Sequence, residues 1–240
     1  MSDIHSNMEA LNAVTAAAEY DRVIFLGDSV DYGPDPEPVV DWLRHGQDRG
    51  AVLVRGNHDE AAATPAEQFD PSWWSETALR TLEYSRAKLS PEAKEFLGGL
   101  PLTAEVDLGS GDRGLACHGS PTSNLEYLWP TDPKSDLLKA LGPAAQSSDY
   151  IFVGHSHLPF QVDLGEVVLV NPGSVGQPRD GDPRAAFGLF DTHSGKLELR
   201  RVSYDVDATC RKLREYGVPL SDRLCATLRG DGARRASGDP

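Results

Sequence analysis

The stretch Val23–Pro34, with the sequence VIFLGDSVDYGP, decides the fold of this chain. Its first four residues are apolar and rich in β-formers, and Gly27 and Asp28 follow them at once. This pattern is typical of a buried strand that ends in a tight turn and presents a carboxylate. In open α/β sheets, functional groups collect at the carboxyl ends of the strands. We therefore expect Asp28 to stand at the centre of a functional site.

The same arrangement of an apolar run followed by polar ligand-type residues recurs along the chain. The runs at 51–54, 113–117 and 150–153 each lead into Asn or His, and an Asp-x-His pair stands at the start. The residues that these segments would bring together with Asp28 are Asp3, His5, Asn57, His118, His155 and His157. Any one of them alone would be read as a turn residue or a structural histidine. Seven such residues on five strand ends predict one shared site.

The residue types of this site fit two metal ions. Hydrolysis of a phosphoester at two ions about 4 Å apart needs a bridging carboxylate, further nitrogen or oxygen ligands and an open position for water. Asp28 is the natural bridge, and the neutral amide of Asn57 avoids adding negative charge where a phosphate must bind. Asp, Asn and His together suit Mn, Fe, Zn or Co better than Ca or Mg, and we take Mn as the first candidate.

Composition narrows the possible partners. With 240 residues the chain is long enough for one domain with a sizeable core. The formal net charge of −14 argues against non-specific nucleic-acid binding, which requires a basic surface. The three cysteines form no CxxC pair, and no apolar run approaches the length of a membrane span. These features predict a soluble cytoplasmic protein with a small anionic substrate and no membrane partner.

The order of predicted elements is that of an α/β protein. Strands and helices alternate up to residue 60, which favours a parallel core sheet. Residues 61–100 are predominantly helical and predict a small cap over the site, with Ser90 as N-cap and Pro91 at the first helical position. The second half is rich in strands and ends in a helical segment. We expect a single domain over residues 1–228 and a disordered tail over residues 229–240.

Five blocks of the sequence, taken together, resemble the signature of the calcineurin-like metallophosphoesterases. They are Asp3-Ile4-His5, Gly27-Asp28-x-x-Asp31, Gly56-Asn57-His58-Asp59, His118-Gly119 and Gly154-His155-x-His157. The resemblance covers residues 3–175 and implies two mixed β-sheets packed face to face and flanked by helices. Three further stretches, 31–34, 171–179 and 182–186, resemble a bacterial branch of small phosphodiesterases and diadenosine-tetraphosphatase-like hydrolases.

The resemblance also implies a role for each site residue. Asp3, His5, Asp28 and His157 would hold one metal ion, and Asp28, Asn57, His118 and His155 the other. His58 would protonate the leaving group, with Asp59 orienting it and Asp31 nearby in the second shell. The implied activity is hydrolysis of a phosphodiester or nucleotide phosphoanhydride through attack of a metal-bridging hydroxide.

Four further residues are candidates for binding the substrate. Arg179 and Arg184 could clamp phosphate oxygens. Surface ion pairing is the alternative for both residues, and it is the favoured interpretation of Arg184. Tyr32 lies in one of the branch-like stretches, and Trp74 in the predicted cap could stack on a nucleobase. The loop 171–177 could offer backbone N–H groups to phosphate or could be a plain tight turn.

Two other functions remain open from the sequence. A protein Ser/Thr phosphatase would share the same core but would need a docking groove for its protein substrate. A non-catalytic scaffold on the same fold would be marked by lost ligands, whereas every ligand type is present here.

The start of the chain raises a separate expectation. An Asp-x-His pair at a strand end requires an apolar strand before it, but only Met1 and Ser2 precede Asp3. We therefore expect a gap in the sheet beside residues 23–26, a loosely held Asp3 and His5, and about six further apolar residues ahead of Met1 in the native protein.

Overall fold

The computed structural model describes residues 1–109 and 111–231. Its strands are β1 (Ile24–Phe25), β2 (Val52–Leu53), β3 (Thr103–Asp107), β4 (Arg113–Cys117), β5 (Tyr150–Phe152), β6 (Pro159–Asp163), β7 (Val168–Pro172), β8 (Ala185–Asp191) and β9 (Lys196–Val202). Its α-helices are α1 (Met8–Ala16), α2 (Pro36–Gln47), α3 (Asn57–Ala63), α4 (Glu76–Lys88), α5 (Pro91–Gly99), α6 (Lys134–Leu141), α7 (Ala144–Ser147), α8 (Val206–Glu215) and α9 (Ser221–Leu228).

The strands form two layers. The first is a five-stranded mixed sheet in the order β3-β4-β5-β7-β6, with β4, β5 and β7 parallel and antiparallel strands at both edges. The second contains the parallel pair β1–β2 and the antiparallel pair β8–β9. The fold class predicted from the sequence is thereby confirmed, with the difference that the second layer is divided into two small sheets.

Apolar side chains hold these layers and the helices together. One cluster, which includes Leu26, Val106, Phe152 and Val170, packs the two sheet layers against each other. A second buries α1, α2 and the helices of residues 57–99 on the outer face of β1, β2 and β8. A third buries α6 and α7 on the outer face of the five-stranded sheet. The order of layers is therefore helix, sheet, sheet, helix, with the strand ends free to carry a site.

Local signals explain where several helices begin and end. The Ser90 hydroxyl accepts the Ala93 N–H at 3.1 Å with Pro91 at the first helical position, which confirms the predicted start of α5. The helical segment near the end divides into α8 and α9, as Gly217 and Pro219 predict. Of the predicted tail, residues 229–231 form a turn after α9, and residues 232–240 lie outside the described residues.

The residues at the start of the chain are held firmly by the second layer. Leu26 donates its N–H to the Met1 carbonyl at 3.0 Å, and Asp3 donates to the Gly27 carbonyl at 3.0 Å. On the other side, Ser2 pairs with Ser174 in a parallel bridge. Asp3 and His5 are buried, so the expectation that they would hang on a loose terminus is wrong. These hydrogen bonds hold the segment between the end of β1 and the loop after β7.

Across residues 1–109 and 111–231, no helix combines the length and the apolar character that crossing a membrane demands.

Candidate metal centre

Two clusters of buried ligand-type side chains lie at the carboxyl ends of the strands. In the first cluster, one ligand atom each from Asp3, His5 and His157 lies within 4.8 Å of the others. In the second cluster, Asp28, His118 and His155 meet the same limit. The predicted convergence of these residues is therefore present in the fold. The charge and hydrogen bonding of each cluster decide whether it could hold a cation.

Three histidine rings of the site are oriented by backbone carbonyls. In each case the Nδ1 atom faces a carbonyl oxygen: His5 with Val30 (2.8 Å), His118 with Leu26 (2.6 Å) and His157 with Gln177 (2.6 Å). Because a carbonyl only accepts a hydrogen bond, Nδ1 carries the proton and the Nε2 lone pair of a neutral ring points into the site. Burial, more than any other cause, lowers the pKa of His5, His155 and His157, which favours this neutral form. At His118 the Asp28 carboxylate outweighs burial and raises the pKa to about 9, so a cation bound there would have to displace a proton.

Several of these inward-facing atoms have no hydrogen-bond donor within the described chain. Both carboxylate oxygens of Asp3 and the Nε2 atom of His155 are buried without a hydrogen-bond partner. The Nε2 atoms of His5 and His157 lie only 3.2 Å apart, although both carry lone pairs in the neutral tautomer. Buried acceptors that face one another are unfavourable unless a cation lies between them. This donor set of carboxylate and imidazole fits a transition-metal ion or zinc.

Asp28 lies between the two clusters. Its Oδ1 atom accepts the His58 N–H at 2.9 Å at the start of α3. Its Oδ2 atom is 3.2 Å from His118 Nε2 and 3.8 Å from His5 Nε2. A single carboxylate oxygen therefore faces a ligand of each cluster. Asn57 adds a neutral ligand atom to the second cluster, since its Oδ1 lies 3.1 Å from His118 Nε2.

The backbone around these side chains is strained. Nine non-glycine residues of the described chain have positive φ, and eight of them lie in the loops of this site: Asp3, His5, Ser6, Asp28, Asp31, Tyr32, His155 and His157. Left-handed backbone is unfavourable for residues with a Cβ and persists only where the surrounding structure enforces it. Such strain clusters at functional sites, and here it turns the ligand side chains inward.

Gly56 permits the close approach of two strand ends. A Cβ at this position would lie 2.0 Å from Asp28 Oδ1 and 2.3 Å from the Asp28 backbone nitrogen. We expect Gly56→Ala to displace Asp28, to destabilise the fold by about 1–3 kcal/mol and to reduce metal content. Thermal unfolding and metal analysis measure both effects. Gly50→Ala is the matched control because a Cβ there meets no atom within 4 Å, although its φ of +84° adds a small cost. Equal metal content in the two variants would contradict this account.

His58 is oriented by Asp31. His58 Nδ1 lies 2.6 Å from Asp31 Oδ2, and both side chains are buried. Burial alone would lower the pKa of His58, but the Asp28 and Asp31 carboxylates outweigh it and raise that pKa above its ordinary value. The expectation that Asp59 orients His58 is wrong. Asp59 instead accepts the N–H groups of Asp28, Ser29 and Gly56 and fixes the loop that carries the Asp28 carboxylate.

The loop after β7 supports the first cluster, and four of its N–H groups, those of Gly173, Val175, Gly176 and Gln177, are donated within the chain. Val175 and Gly176 donate to the Ser2 and Asp3 carbonyls, and Gln177 donates to the Ser174 hydroxyl. Of the two alternatives open for residues 171–177, the structure shows the tight turn. Asn171 is a supporting residue that sequence reasoning missed. Its side-chain amide donates to the Gly154 carbonyl at 2.6 Å and so holds the loop of His155 and His157. The signal in the sequence that could have identified Asn171 is its position directly after the apolar run 167–170.

The substrate-binding candidates lie in different surroundings. The Tyr32 ring contacts both His5 and His58, at centroid distances of 4.8 and 5.0 Å. The Trp74 ring lies edge-on to His58 at 4.7 Å, while the neighbouring Trp73 is 86% exposed. Arg184 instead forms a bidentate ion pair with Asp182 at the surface, as the alternative interpretation of Arg184 predicts.

Arg179 extends over the first cluster. Its guanidinium carbon lies 5.8 Å from the Tyr32 ring centroid, and its Nη2 donates to Gln177 Oε1 at 3.0 Å. Burial is the largest cause that lowers the pKa of His157, and the positive charge of Arg179 is the second. Arg179 is therefore close to the site. Within residues 1–109 and 111–231, no carboxylate lies within ion-pairing distance of this guanidinium. Its charge is therefore available to an anion at the site. The Tyr127 ring stacks on His155 with the ring centroids 3.9 Å apart, so Tyr127 is a further residue of the site.

Comparisons with known proteins agree with this geometry. Residues 1–195 match the calcineurin-like phosphoesterase superfamily domain. The chain is 33% identical over 246 aligned positions to an uncharacterized protein of Methanocaldococcus jannaschii, covering 93% of this chain and 95% of that one. It is 29% identical to a metallophosphoesterase of known structure from Sphaerobacter thermophilus, with a TM-score of 0.78 and 96% of each chain covered. A shorter match, 43% over 49 residues, links 20% of this chain to 26% of the phosphodiesterase YfcE of Escherichia coli.

Proposed function

Because the chain belongs to the calcineurin-like phosphoesterase superfamily, we propose that it is a dinuclear metal-dependent phosphodiesterase that hydrolyses a small phosphodiester or a nucleotide phosphoanhydride. The position of Asp28 carries this proposal. Its Oδ2 atom faces His5 of the first cluster and His118 of the second, as a bridging ligand must. The family is metal-dependent, and the two clusters supply enough donors for two ions.

The ligands divide between the two ions as follows. Asp3, His5, His157 and Asp28 hold the first ion, and Asp28, Asn57, His118 and His155 hold the second. When bound, such a pair supplies an activated water and neutralises the charge of the phosphate. Mn is the first candidate for both positions, with Fe, Zn or Co as alternatives of the same ligand preference. The carbonyl contacts of the Nδ1 atoms keep the ligand rings in place before any ion binds.

The protein's own contribution to bond cleavage comes from His58. Asp31 holds Nδ1 of the ring and leaves Nε2 as the nitrogen that can transfer a proton. The two carboxylates that raise the pKa of His58 favour its protonated form, which is the form a general acid requires. We assign to His58 the protonation of the leaving oxygen, and to Asp31 the positioning of the ring.

Arg179 is the proposed clamp for the substrate phosphate. A guanidinium can donate to two phosphate oxygens at once, and this one has no carboxylate of the described chain to compete for it. The Tyr32 ring supports it from one side at 5.8 Å. Arg184 is not part of this assignment because its donors are occupied by Asp182.

A substrate panel tests the proposed activity. Chelated protein with Mn added back is assayed on bis-p-nitrophenyl phosphate, p-nitrophenyl phosphate, diadenosine tetraphosphate, cyclic nucleotides and a phosphoserine peptide. We expect hydrolysis of the diester or of a nucleotide to exceed that of the monoester and the peptide. Preference for the peptide would favour a protein phosphatase, and no metal-dependent turnover of any substrate would favour a scaffold.

Trp74 shapes the side of the site where the leaving group departs. Its ring lies against His58, the proposed acid, so an aromatic leaving group could stack there. We expect Trp74→Ala to raise KM for a nucleotide substrate about tenfold and to change KM for p-nitrophenyl phosphate by less than about twofold. Steady-state kinetics on both substrates provide the test. Trp73→Ala, which alters an exposed neighbour, is the control. A parallel rise in both KM values would show that Trp74 only packs the loop.

A further inference from the structure

Two aromatic side chains lie beside the second cluster and are not used by the proposed mechanism. The Tyr127 ring stacks on His155, with the ring centroids 3.9 Å apart and 28° between the planes. The Trp129 ring stacks in turn on Tyr127, with centroids 5.3 Å apart and 5° between the planes. Tyr127 is 39% exposed and Trp129 is half-buried. We call Tyr127 and Trp129 the ring pair. Partly exposed aromatic rings that stack against a candidate metal ligand can take up a planar ligand.

The loop that carries the ring pair is held by its own hydrogen bonds. The Asn124 side-chain amide donates to Glu60 Oε2 at 2.5 Å, which ties the loop to α3, the helix that carries His58. The Trp129 N–H donates to Asp132 Oδ2 at 2.8 Å. Because the rings are already stacked and the loop is already tied, a ligand that binds to them has little side-chain and loop entropy to overcome.

The ring pair and Trp74 contact different clusters. Trp74 lies against His58, whose ring contacts His5 of the first cluster with centroids 5.1 Å apart. The ring pair instead begins at His155 of the second cluster. Asp28 lies between the two clusters. A phosphate bound beside Asp28 would therefore have Trp74 toward one side and the ring pair toward the other.

We infer that the ring pair binds a nucleobase on the part of the substrate that stays with the phosphate. This inference rests on the proposed function and narrows its substrates to esters and anhydrides of a nucleoside monophosphate, which is then a product. The contacts of the two clusters identify the retained side. His58 donates its proton to the leaving oxygen, so the leaving group departs on the Trp74 side and the retained group faces the ring pair.

The bonds and protons of this step balance with water as the only co-reactant. The bond from phosphorus to the leaving oxygen breaks, and the oxygen of water bonds to phosphorus. The leaving oxygen takes the proton of His58, and a proton that the water releases restores His58 through solvent. A planar base is the retained group that these rings favour, because an alkyl or glycerol group has no π-face to stack on them.

Two diesters with the same leaving group isolate the retained group. Thymidine 5′-p-nitrophenyl phosphate and methyl p-nitrophenyl phosphate both release p-nitrophenolate, so the ratio of their kcat/KM values reports only on the thymidine. We expect Trp129→Ala to reduce this ratio about tenfold. Trp129→Leu, which fills the space but has no planar face, should reduce it equally, and Trp129→Phe should restore most of it. Leu125→Ala, at an exposed position of the same loop, is the matched control and should leave the ratio unchanged.

Calorimetric titration of the Mn-loaded protein tests the ring pair without turnover. We expect the unaltered protein to bind thymidine 5′-monophosphate about tenfold more tightly than methyl phosphate, and Trp129→Leu to bind the two alike. Equal affinities and an unchanged ratio of kcat/KM in the Trp129 variants would overturn the inference, and the ring pair would then only pack its loop. Absence of turnover of both esters would contradict the proposed function instead, and the titration would still decide whether the ring pair binds a base.

Discussion

Asp28→Asn is expected to abolish phosphoesterase activity, with a loss of at least about 10³-fold in kcat/KM, and to reduce the bound metal below one ion per chain. Asp28 Oδ2 faces a histidine of each cluster, at 3.2 Å from His118 and 3.8 Å from His5. Asparagine keeps the shape but removes the negative charge that holds two cations together. Its Oδ1 can still accept the His58 N–H, so α3 should begin at the same place.

Metal analysis and steady-state kinetics on one preparation measure both effects. Asp41→Asn is the matched control, because Asp41 lies on α2 with a side chain that is 52% exposed and contacts Arg44 of the same helix. Its activity and metal content should equal those of the unaltered protein. An Asp28→Asn variant that retains two ions and full activity would remove Asp28 from the bridging position.

The convergence of the ligand-type side chains could be predicted from the sequence because its signals are local. Asp28, Asn57, His118, His155 and His157 each come shortly after an apolar run, and parallel strands bring their carboxyl ends to one edge of the sheet. Asp28 after β1 and Asn57 after β2 show this directly, since β1 and β2 are parallel neighbours. The family resemblance then fixed the same residues by their order along the chain, and the match over residues 1–195 confirms the family.

The residue that orients the His58 ring could not be predicted in the same way. Asp31 and Asp59 are both acidic residues near candidate ligands in the sequence, and sequence position favours Asp59 because it directly follows His58. The structure reverses this preference because Asp59 lies in the first turn of α3, where it satisfies the N–H groups of Gly56 and of the Asp28 loop. Asp31 has a φ of +71°, and this left-handed turn points its carboxylate back to the ring.

The packing of the chain start could not be predicted either, because it depends on contacts distant in sequence. Asp3 is held by Gly27 on one side, and its carbonyl accepts the Ser174 hydroxyl, 171 positions away in sequence, on the other. A count of the residues before Asp3 carries no information about these partners. The same count led to the expected gap beside residues 23–26, and the structure has a groove there whose lining includes Ile24 and Leu26 together with charged side chains.

The second large effect is expected at His58 and depends on the leaving group. His58→Gln should slow turnover by about 10²- to 10⁴-fold for a substrate with a basic leaving alkoxide, while metal content stays near that of the unaltered protein. Glutamine cannot transfer a proton at this position. The loss should be below about tenfold for p-nitrophenolate, which departs without protonation. His45→Gln, an exposed histidine on α2, is the matched control and should leave both rates unchanged.

Asp31→Asn separates proton transfer from positioning. Asp31 contacts the ring at Nδ1 and, in the proposed mechanism, does not touch the substrate, so its loss should weaken the acid without removing it. We expect a loss of about 10- to 100-fold for the basic leaving group, and little further loss when Asp31→Asn is added to His58→Gln, because residues that act as a unit are not additive. A plot of log kcat against leaving-group pKa should therefore be steepest for His58→Gln, intermediate for Asp31→Asn and shallowest for the unaltered protein. Equal slopes in all three would mean that His58 binds the phosphate or packs the site, and that another group protonates the leaving oxygen.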